Sequence, residues 1–162
     1  MDSILPRSSE RVNMTGTPIT ETQLNSAWEL MFYGFRALTA PPDSLLAARG
    51  WSRVHHRILY FVARTPGQTV GELLQRLGVT KQALNAPLKA LQQAGLVTVS
   101  VCNDDRRARR LHLSPAGQAL EASLTGVQRE LLTKVFERAG EAAFDGWCQV
   151  MDELAACESR QS

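Results

Sequence analysis

The residues best suited to chemistry fall in two clusters near the middle of the chain. The denser one places four arginines within five positions: Arg106, Arg107, Arg109 and Arg110. A guanidinium group is always charged, and its fork of donors matches phosphate oxygens and fits a narrow minor groove. Four such charges repel one another unless an anion neutralises them. This arginine cluster therefore predicts a site for a polyanion rather than a solvated loop.

The second cluster lies on one face of a predicted helix from Thr80 to Ala94. Its polar members and the N-cap that precedes them are Thr80, Lys81, Gln82, Asn85 and Lys89, and the opposite face carries Leu84, Leu88 and Leu91. Amide side chains can pair with base edges, whereas lysine suits phosphate or guanine. Alone, such a face is more often an ordinary solvated helix surface. Beside the arginine cluster, it predicts a helix that reads DNA.

The distribution of charge supports this interpretation more than the total does. The net charge is only +2, but residues 80–110 carry six basic and two acidic side chains and the flanks are slightly acidic. With 162 residues, 44% of them hydrophobic, the chain can bury a core, so global disorder is excluded. One basic surface on a folded domain is the expectation.

Four helical segments are predicted before the Thr80 helix, over residues 20–38, 44–49, 54–64 and 70–77. The first has an aromatic stripe too large to leave in water, which suggests that another subunit covers it. Pro41 and Pro42 are expected to break the chain between the first two segments. Thr69 and Glu72 have the spacing of a capping box, and Gly78 suits the C-terminal cap of that helix.

After the Thr80 helix, alternating apolar residues over 96–101 and 110–113 predict a β-hairpin with the charged segment at its tip. Ser114 and Pro115 then begin a long helix to about residue 138, and a last helix covers 141–156. The fold class is mainly α with a small β-hairpin wing: a winged helix-turn-helix domain flanked by N- and C-terminal dimerisation helices. The expected divisions are a flexible tail (1–18), an N-terminal dimerisation part (19–50), the winged domain (51–114) and C-terminal dimerisation helices (115–158).

Five runs carry a resemblance to the MarR (multiple-antibiotic-resistance regulator) family. They are TVGELL at 69–74, LGVT at 77–80, LQQAGLV at 91–97, DRRA at 105–108 and LSPAG at 113–117. As an ordered set they are specific. The resemblance implies a homodimer that binds a pseudo-palindromic operator in double-stranded DNA. It also implies a transcriptional repressor that is relieved by a small ligand or an oxidant.

Two positions depart from the family pattern. Cys102 stands where the family usually has an aspartate at the start of the wing, unless the tip is gapped so that Asp104 takes that place. Pro87 lies inside the predicted DNA-reading helix, so either the helix begins later or it is kinked there. We favour the kink.

Sensor residues are less clearly marked. Cys102 is a redox candidate because nearby arginines favour the thiolate, although a small residue at a strand end is the more frequent reason for a cysteine there. Trp28, Phe32, Trp51 and Tyr60 are candidates to line a ligand pocket for a small-molecule effector, as is Phe35. Most of these aromatic side chains are equally expected in a core.

Several classes of function are excluded. No glycine-rich phosphate loop, nucleophile motif or paired carboxylates point to an enzyme, and no cofactor is expected. His55 and His56 are adjacent on a helix and cannot share a metal, and three cysteines without a CxxC pattern argue against a zinc site or disulfides. No signal peptide or membrane span is seen, so a cytoplasmic protein is expected. The alternative function is a winged-helix module that binds other proteins without direct DNA binding, but its wing should then be apolar.

Overall fold

The computed structural model describes residues 18–101 and 109–159. Within these ranges the chain forms six helices and one two-stranded antiparallel sheet. In chain order the elements are α1 (Glu21–Ala47), α2 (Arg53–Arg64), α3 (Val70–Leu77), α4 (Lys81–Gln93), β1 (Val97–Val101), β2 (Arg109–Leu113), α5 (Pro115–Ala139) and α6 (Glu141–Ser159). This order confirms the predicted fold class of helices around a small β-hairpin wing.

The chain divides into two compact units, one ending at Ala37 and the other beginning at Leu38. The first contains the N-terminal part of α1, and its large apolar side chains are exposed. Those side chains are Leu24, Trp28, Leu30, Met31, Phe32, Tyr33 and Phe35. The second unit contains the remaining elements and the buried core.

The predicted break at Pro41 and Pro42 is wrong, because α1 runs through both prolines, and the separate helix expected over 44–49 is the end of α1 and a turn. Pro42 has no amide proton for the carbonyl of Leu38, which would be its partner in a regular helix. The side-chain amide of Gln128 in α5 donates to that carbonyl instead, at 3.1 Å. The Pro42 ring is itself buried. A hydrogen bond from a distant helix therefore offsets part of what the proline removes.

The core of the second unit is formed by the end of α1, by α2, α3, α4 and α5, and by the wing sheet. Its fully buried members include Leu46, Ile58, Leu59, Val62, Leu73, Leu84, Leu91, Leu111 and Leu124. Each such side chain contributes about 1.5–3 kcal/mol when it leaves water. The i, i+3 and i+4 spacing of these residues is what turns one face of each helix inward.

In addition to β1, the short segment Gly67–Gln68 hydrogen-bonds to β2, along the edge of β2 that faces away from β1. β1 pairs with β2 so that Val97 lies opposite Leu113. On the other side of β2, the amide of Gly67 donates to the carbonyl of Leu111 at 2.8 Å, and the amide of Leu111 donates to the carbonyl of Gln68 at 2.9 Å. β2 is thus held between β1 and the segment that leads into α3.

The corner between the wing and α5 is tightly packed. The Ser114 hydroxyl accepts from the amide of Gly117 at 3.0 Å, and the Ser114 amide donates to the carbonyl of Leu96, also at 3.0 Å. A β-carbon at Gly117 would overlap that same carbonyl oxygen. Only glycine fits at this position without moving the backbone.

A buried polar chain joins α2 to α5. The Thr125 hydroxyl donates to the Glu121 carboxylate at 2.7 Å, and Arg64 donates to the same oxygen at 3.2 Å. The His56 Nε2 lies 3.2 Å from the Thr125 hydroxyl oxygen. Because the hydroxyl proton is directed to Glu121, that oxygen can only accept, so Nε2 of His56 carries a proton. The Glu121 side chain is only 8% exposed, and its carboxylate accepts hydrogen bonds from both Thr125 and Arg64.

Candidate nucleic-acid interface

The helix α4 presents the predicted polar face to solvent. Thr80 is its N-cap, and the Thr80 hydroxyl accepts from the amide of Ala83 at 3.2 Å. On the inner face Leu84, Leu88 and Leu91 are buried, as expected from their spacing. The register of the helix is therefore fixed by its core contacts.

The outer face of α4 is open. Its four predicted contact residues are all exposed, and none pairs with another described residue: Lys81, Gln82, Asn85 and Lys89. Two amides and two ammonium groups within one α-helix match the donors and acceptors in a major groove, which admits a single helix. The geometry can serve base contacts at Gln82 and Asn85, with phosphate contacts on either side.

The helix before α4 is held at both ends by the predicted caps. The Thr69 hydroxyl accepts from the Glu72 amide at 3.2 Å, and the Glu72 carboxylate accepts from the Thr69 amide at 2.6 Å. That backbone hydrogen bond from Thr69 is the main reason that the pKa of Glu72 is lowered. Gly78 adopts φ 59°, a left-handed conformation that suits glycine, and leads into Thr80. Together α3, this turn and α4 form a helix-turn-helix.

Pro87 does not delay the start of α4. The helix begins at Lys81 and continues through Pro87 to Gln93. The later start considered above is therefore excluded. The kink remains a prediction.

The wing is described only at its base. Arg106 and Arg107 lie outside the described residues, as does Cys102. Arg109 and Arg110 are both exposed at the start of β2. Arg110 also donates from Nη1 to the carbonyl of Gly67 at 2.9 Å, an interaction between residues far apart in sequence that the sequence did not reveal.

The predicted pocket residues are distributed over the two units. Trp28 and Phe32 are 66% and 53% exposed in the first unit. In the second unit Trp51 lines an open groove of about 360 Å³ with Asp43, Ser52, Arg53 and Val54. Tyr60 is not part of this lining, and it packs instead under the Arg64 guanidinium, 4.3 Å from the ring centre.

The groove beside Trp51 is lined by an ion pair, Asp43 with Arg53, that the sequence did not predict. Arg53 donates from Nε to both carboxylate oxygens of Asp43, at 3.1 and 2.8 Å. This hydrogen bond is also the main reason that the pKa of Arg53 is raised. The ring of Trp51 stacks almost parallel to that of His55, with centres 5.4 Å apart. The spacing of ten residues between Asp43 and Arg53, across a turn, has no local signature.

The two adjacent histidines have structural partners. The Ser52 amide donates to Nδ1 of His55 at 3.1 Å, and His56 belongs to the buried polar chain. Burial lowers the pKa of both. Among the described residues no group of three or more histidine, cysteine or acidic side chains could hold a metal ion. No helix in residues 18–101 and 109–159 is both long and apolar enough to cross a membrane.

Large apolar side chains are also exposed on the last helix. In α6 they are Phe144, Trp147, Val150 and Leu154. Phe136 of α5 packs edge-on against Phe144 and Trp147. Like the exposed apolar side chains of α1, they form the kind of surface that commonly marks an interaction site.

Comparison with known proteins places this geometry in a family. A model of the MarR family matches residues 49–108. The HTH-type transcriptional regulator PetP of Rhodobacter capsulatus is 40% identical over 136 residues, which cover 84% of this chain and 82% of PetP.

Two solved structures show the same fold at lower identity. One is Staphylococcus aureus MarR in complex with salicylate and kanamycin, with a TM-score of 0.73, 19% identity, and 88% and 96% of the two chains covered. The other is Streptococcus pneumoniae FabT in complex with DNA, with a TM-score of 0.71, 17% identity, and 86% and 99% covered. With the helix-turn-helix, the wing and the relationship to PetP in place, the chain belongs to the MarR family: it is a DNA-binding transcriptional regulator and not an enzyme.

Proposed function

We propose that the chain is a cytoplasmic, homodimeric repressor that binds a pseudo-palindromic operator and is released by a small ligand or an oxidant. The observation that carries the DNA-reading part of the proposal is the outer face of α4. Its polar side chains are exposed without partners among the described residues, while three buried leucines fix the helix from behind. A helix supported in this way can enter a major groove as a rigid element.

Each contact residue has a role that follows from its chemistry. Gln82 and Asn85 read base edges, because an amide can donate and accept at the same base. Lys81 and Lys89 neutralise phosphates, and the Thr80 hydroxyl, whose oxygen already caps the helix, donates its proton to a phosphate.

The arginines of the wing supply the remaining contacts. Arg106, Arg107 and Arg109 contact the phosphate backbone or the minor groove. Arg110 belongs to the same cluster in sequence but donates a hydrogen bond within the protein, to the carbonyl of Gly67.

The dimer follows from the exposed apolar faces of α1 and α6. A second copy of this chain would cover them, and a two-fold axis would place two α4 helices on successive turns of one face of DNA. The half-sites are then about one helical turn apart.

The groove at Trp51 is a candidate site for a small-molecule effector among the described residues of the second unit. The groove at Trp51 offers an indole ring beside the Asp43–Arg53 ion pair, and such a combination suits a planar ligand with a polar group. The Staphylococcus aureus relative holds salicylate and kanamycin. Oxidation at Cys102 is the second proposed route of release, because a modified side chain at the start of the wing would disturb phosphate contact.

A protein-interaction module without DNA binding is not favoured. Such a domain would need an apolar contact surface on the reading helix. The four outward side chains of α4 named above are all polar or charged.

The test is fluorescence anisotropy with duplex DNA from the region upstream of the chain's own gene, at two salt concentrations. Gln82→Ala and Asn85→Ala should each cost about 1–3 kcal/mol, and only at particular operator base pairs. Gln118→Ala, an exposed glutamine in the first turn of α5, is the matched control and should bind as the wild type does. Equal losses on all sequences would reassign the two amides to phosphate. Binding that is weak and identical for scrambled DNA would contradict operator recognition.

A further inference from the structure

The side chain of Arg110 is turned towards the protein. Its Nη1 donates to the carbonyl oxygen of Gly67 at 2.9 Å, across 43 positions of sequence. A hydrogen bond from a charged donor is stronger than one between neutral groups. Of the two arginines at the described base of the wing, only Arg110 has such a partner among the described residues.

Gly67 lies at a junction of the DNA-binding domain. It ends the turn after α2, and its amide donates to the carbonyl oxygen of Leu111 in β2. Two residues later, Thr69 forms an isolated antiparallel β-bridge with Arg110. Thr69 is also the N-cap of α3. The contact between Arg110 and Gly67 therefore joins the wing to the start of the helix-turn-helix.

The charge of Arg110 also acts on an acidic side chain at the start of α3. Glu72, which closes the capping box of α3, has a pKa lowered chiefly by its hydrogen bonds from Thr69 and further by the positive charge of Arg110. The guanidinium of Arg110 is therefore close enough to the start of α3 for its charge to act on Glu72.

Strand geometry separates Arg110 from its neighbour. Successive side chains of a β-strand project to opposite faces. Arg109 shares its face with Leu111, whereas Arg110 shares its face with His112, which lies against Ser100 and near Gly67. The two adjacent arginines therefore leave the ribbon in opposite directions.

We propose that Arg110 is a positioning residue that ties the wing to the helix-turn-helix through Gly67 and does not neutralise a DNA phosphate. This role rests on the proposed operator binding, because it concerns where the wing is held when DNA is bound. The arginine cluster thus divides into DNA-contacting members and one internal anchor. The sequence alone could not separate them, because all four side chains are identical.

The test compares Arg110→Ala with Arg109→Ala, its neighbour on the same strand. Each protein phosphate contact contributes about −0.9 to the slope of log affinity against log salt. Because a dimer carries two copies of Arg109, Arg109→Ala should flatten that slope by about two units. Arg110→Ala should weaken binding by about three- to tenfold at every salt concentration and leave the slope unchanged, because the wing is displaced but no counterion release is lost.

A second measurement does not depend on DNA. Amide hydrogen exchange in the free protein should become about two- to tenfold faster over residues 65–72 in Arg110→Ala, which matches the loss of one hydrogen bond, and should be unchanged in Arg109→Ala. A slope reduced by about two units in Arg110→Ala, or unchanged exchange, would overturn the proposal. If the wild type bound no operator, the proposed function would fail, and hydrogen exchange alone would decide whether Arg110 anchors the wing.

Discussion

Replacing Gly117 with alanine should destabilise the protein although alanine is the better helix former. Gly117 is buried in the first turn of α5, and a β-carbon there would overlap the carbonyl oxygen of Leu96. The obstacle is backbone and cannot rotate away as a side chain could. Either the start of α5 or the end of the 95–96 turn must move.

The size of the effect can be worked out from the contacts at this corner. Overpacking against a rigid neighbour costs about 1–3 kcal/mol. Moving α5 also strains two hydrogen bonds, from the Ser114 amide to Leu96 and from the Gly117 amide to the Ser114 hydroxyl, at about 1 kcal/mol each. The gain in helix propensity is about 1 kcal/mol. The expected net loss is about 2–4 kcal/mol.

Thermal unfolding followed by circular dichroism measures this loss. For a chain of this size 1 kcal/mol corresponds to about 2–4 °C, so the Tm should fall by about 5–15 °C. All variants must be compared at one protomer concentration, because association makes the Tm depend on it. Gly126→Ala is the control in the same helix, since a β-carbon there meets nothing within 4 Å, and it should melt at or slightly above the wild type. If Gly117→Ala melted within about 2 °C of the wild type, the close approach to Leu96 would not constrain this corner.

Two further predictions concern the buried polar chain between α2 and α5. Glu121→Ala leaves the hydroxyl of Thr125 and its neighbours without an acceptor, so urea unfolding should show a loss of about 1–3 kcal/mol, whereas Glu130→Ala, in an exposed pair on the same helix, should show none that is measurable. Equal effects of the two changes would mean that burial does not matter here. Burial lowers the pKa of His56 in the folded state below its usual 6.5, so the unfolded chain takes up the proton first as the pH falls. The free energy of unfolding should therefore be highest above about pH 6.5 and fall as the pH falls towards the folded pKa of His56. In His56→Gln the free energy of unfolding should fall less between pH 7 and pH 5. An identical decline in both proteins would assign it to other groups.

The parts of the fold that the sequence predicted are those with local causes. The capping box of Thr69 and Glu72 involves residues three apart, and the glycine turn at Gly78 involves one residue. The buried and exposed faces of α4 follow from helical periodicity alone. Such features can be read from a few consecutive residues, and the structure contains them as expected.

The failures have causes that are distant in sequence. Pro41 and Pro42 would break most helices, and α1 continues because Gln128, far along the chain, supplies the hydrogen bond that Pro42 removes. The ion pair between Asp43 and Arg53 was likewise not predicted, because it joins the end of α1 to the start of α2 across a turn. Neither outcome is encoded in spacing, because each depends on which helices become neighbours.

Pro87 lies inside α4 and bears on how the polar outer face of this helix is formed. α4 has only 13 residues, too few for a stable isolated helix in water, and an interior proline costs about 3 kcal/mol more. The helix exists because three leucines on its inner face are buried, which contributes more than this cost. A synthetic peptide of residues 80–94 would therefore be a disordered chain with no groove-shaped face. The proposed ability of α4 to read a base sequence therefore depends on the core, and we expect that even a conservative change at a buried leucine of α4 weakens operator binding although it alters none of the proposed contact residues.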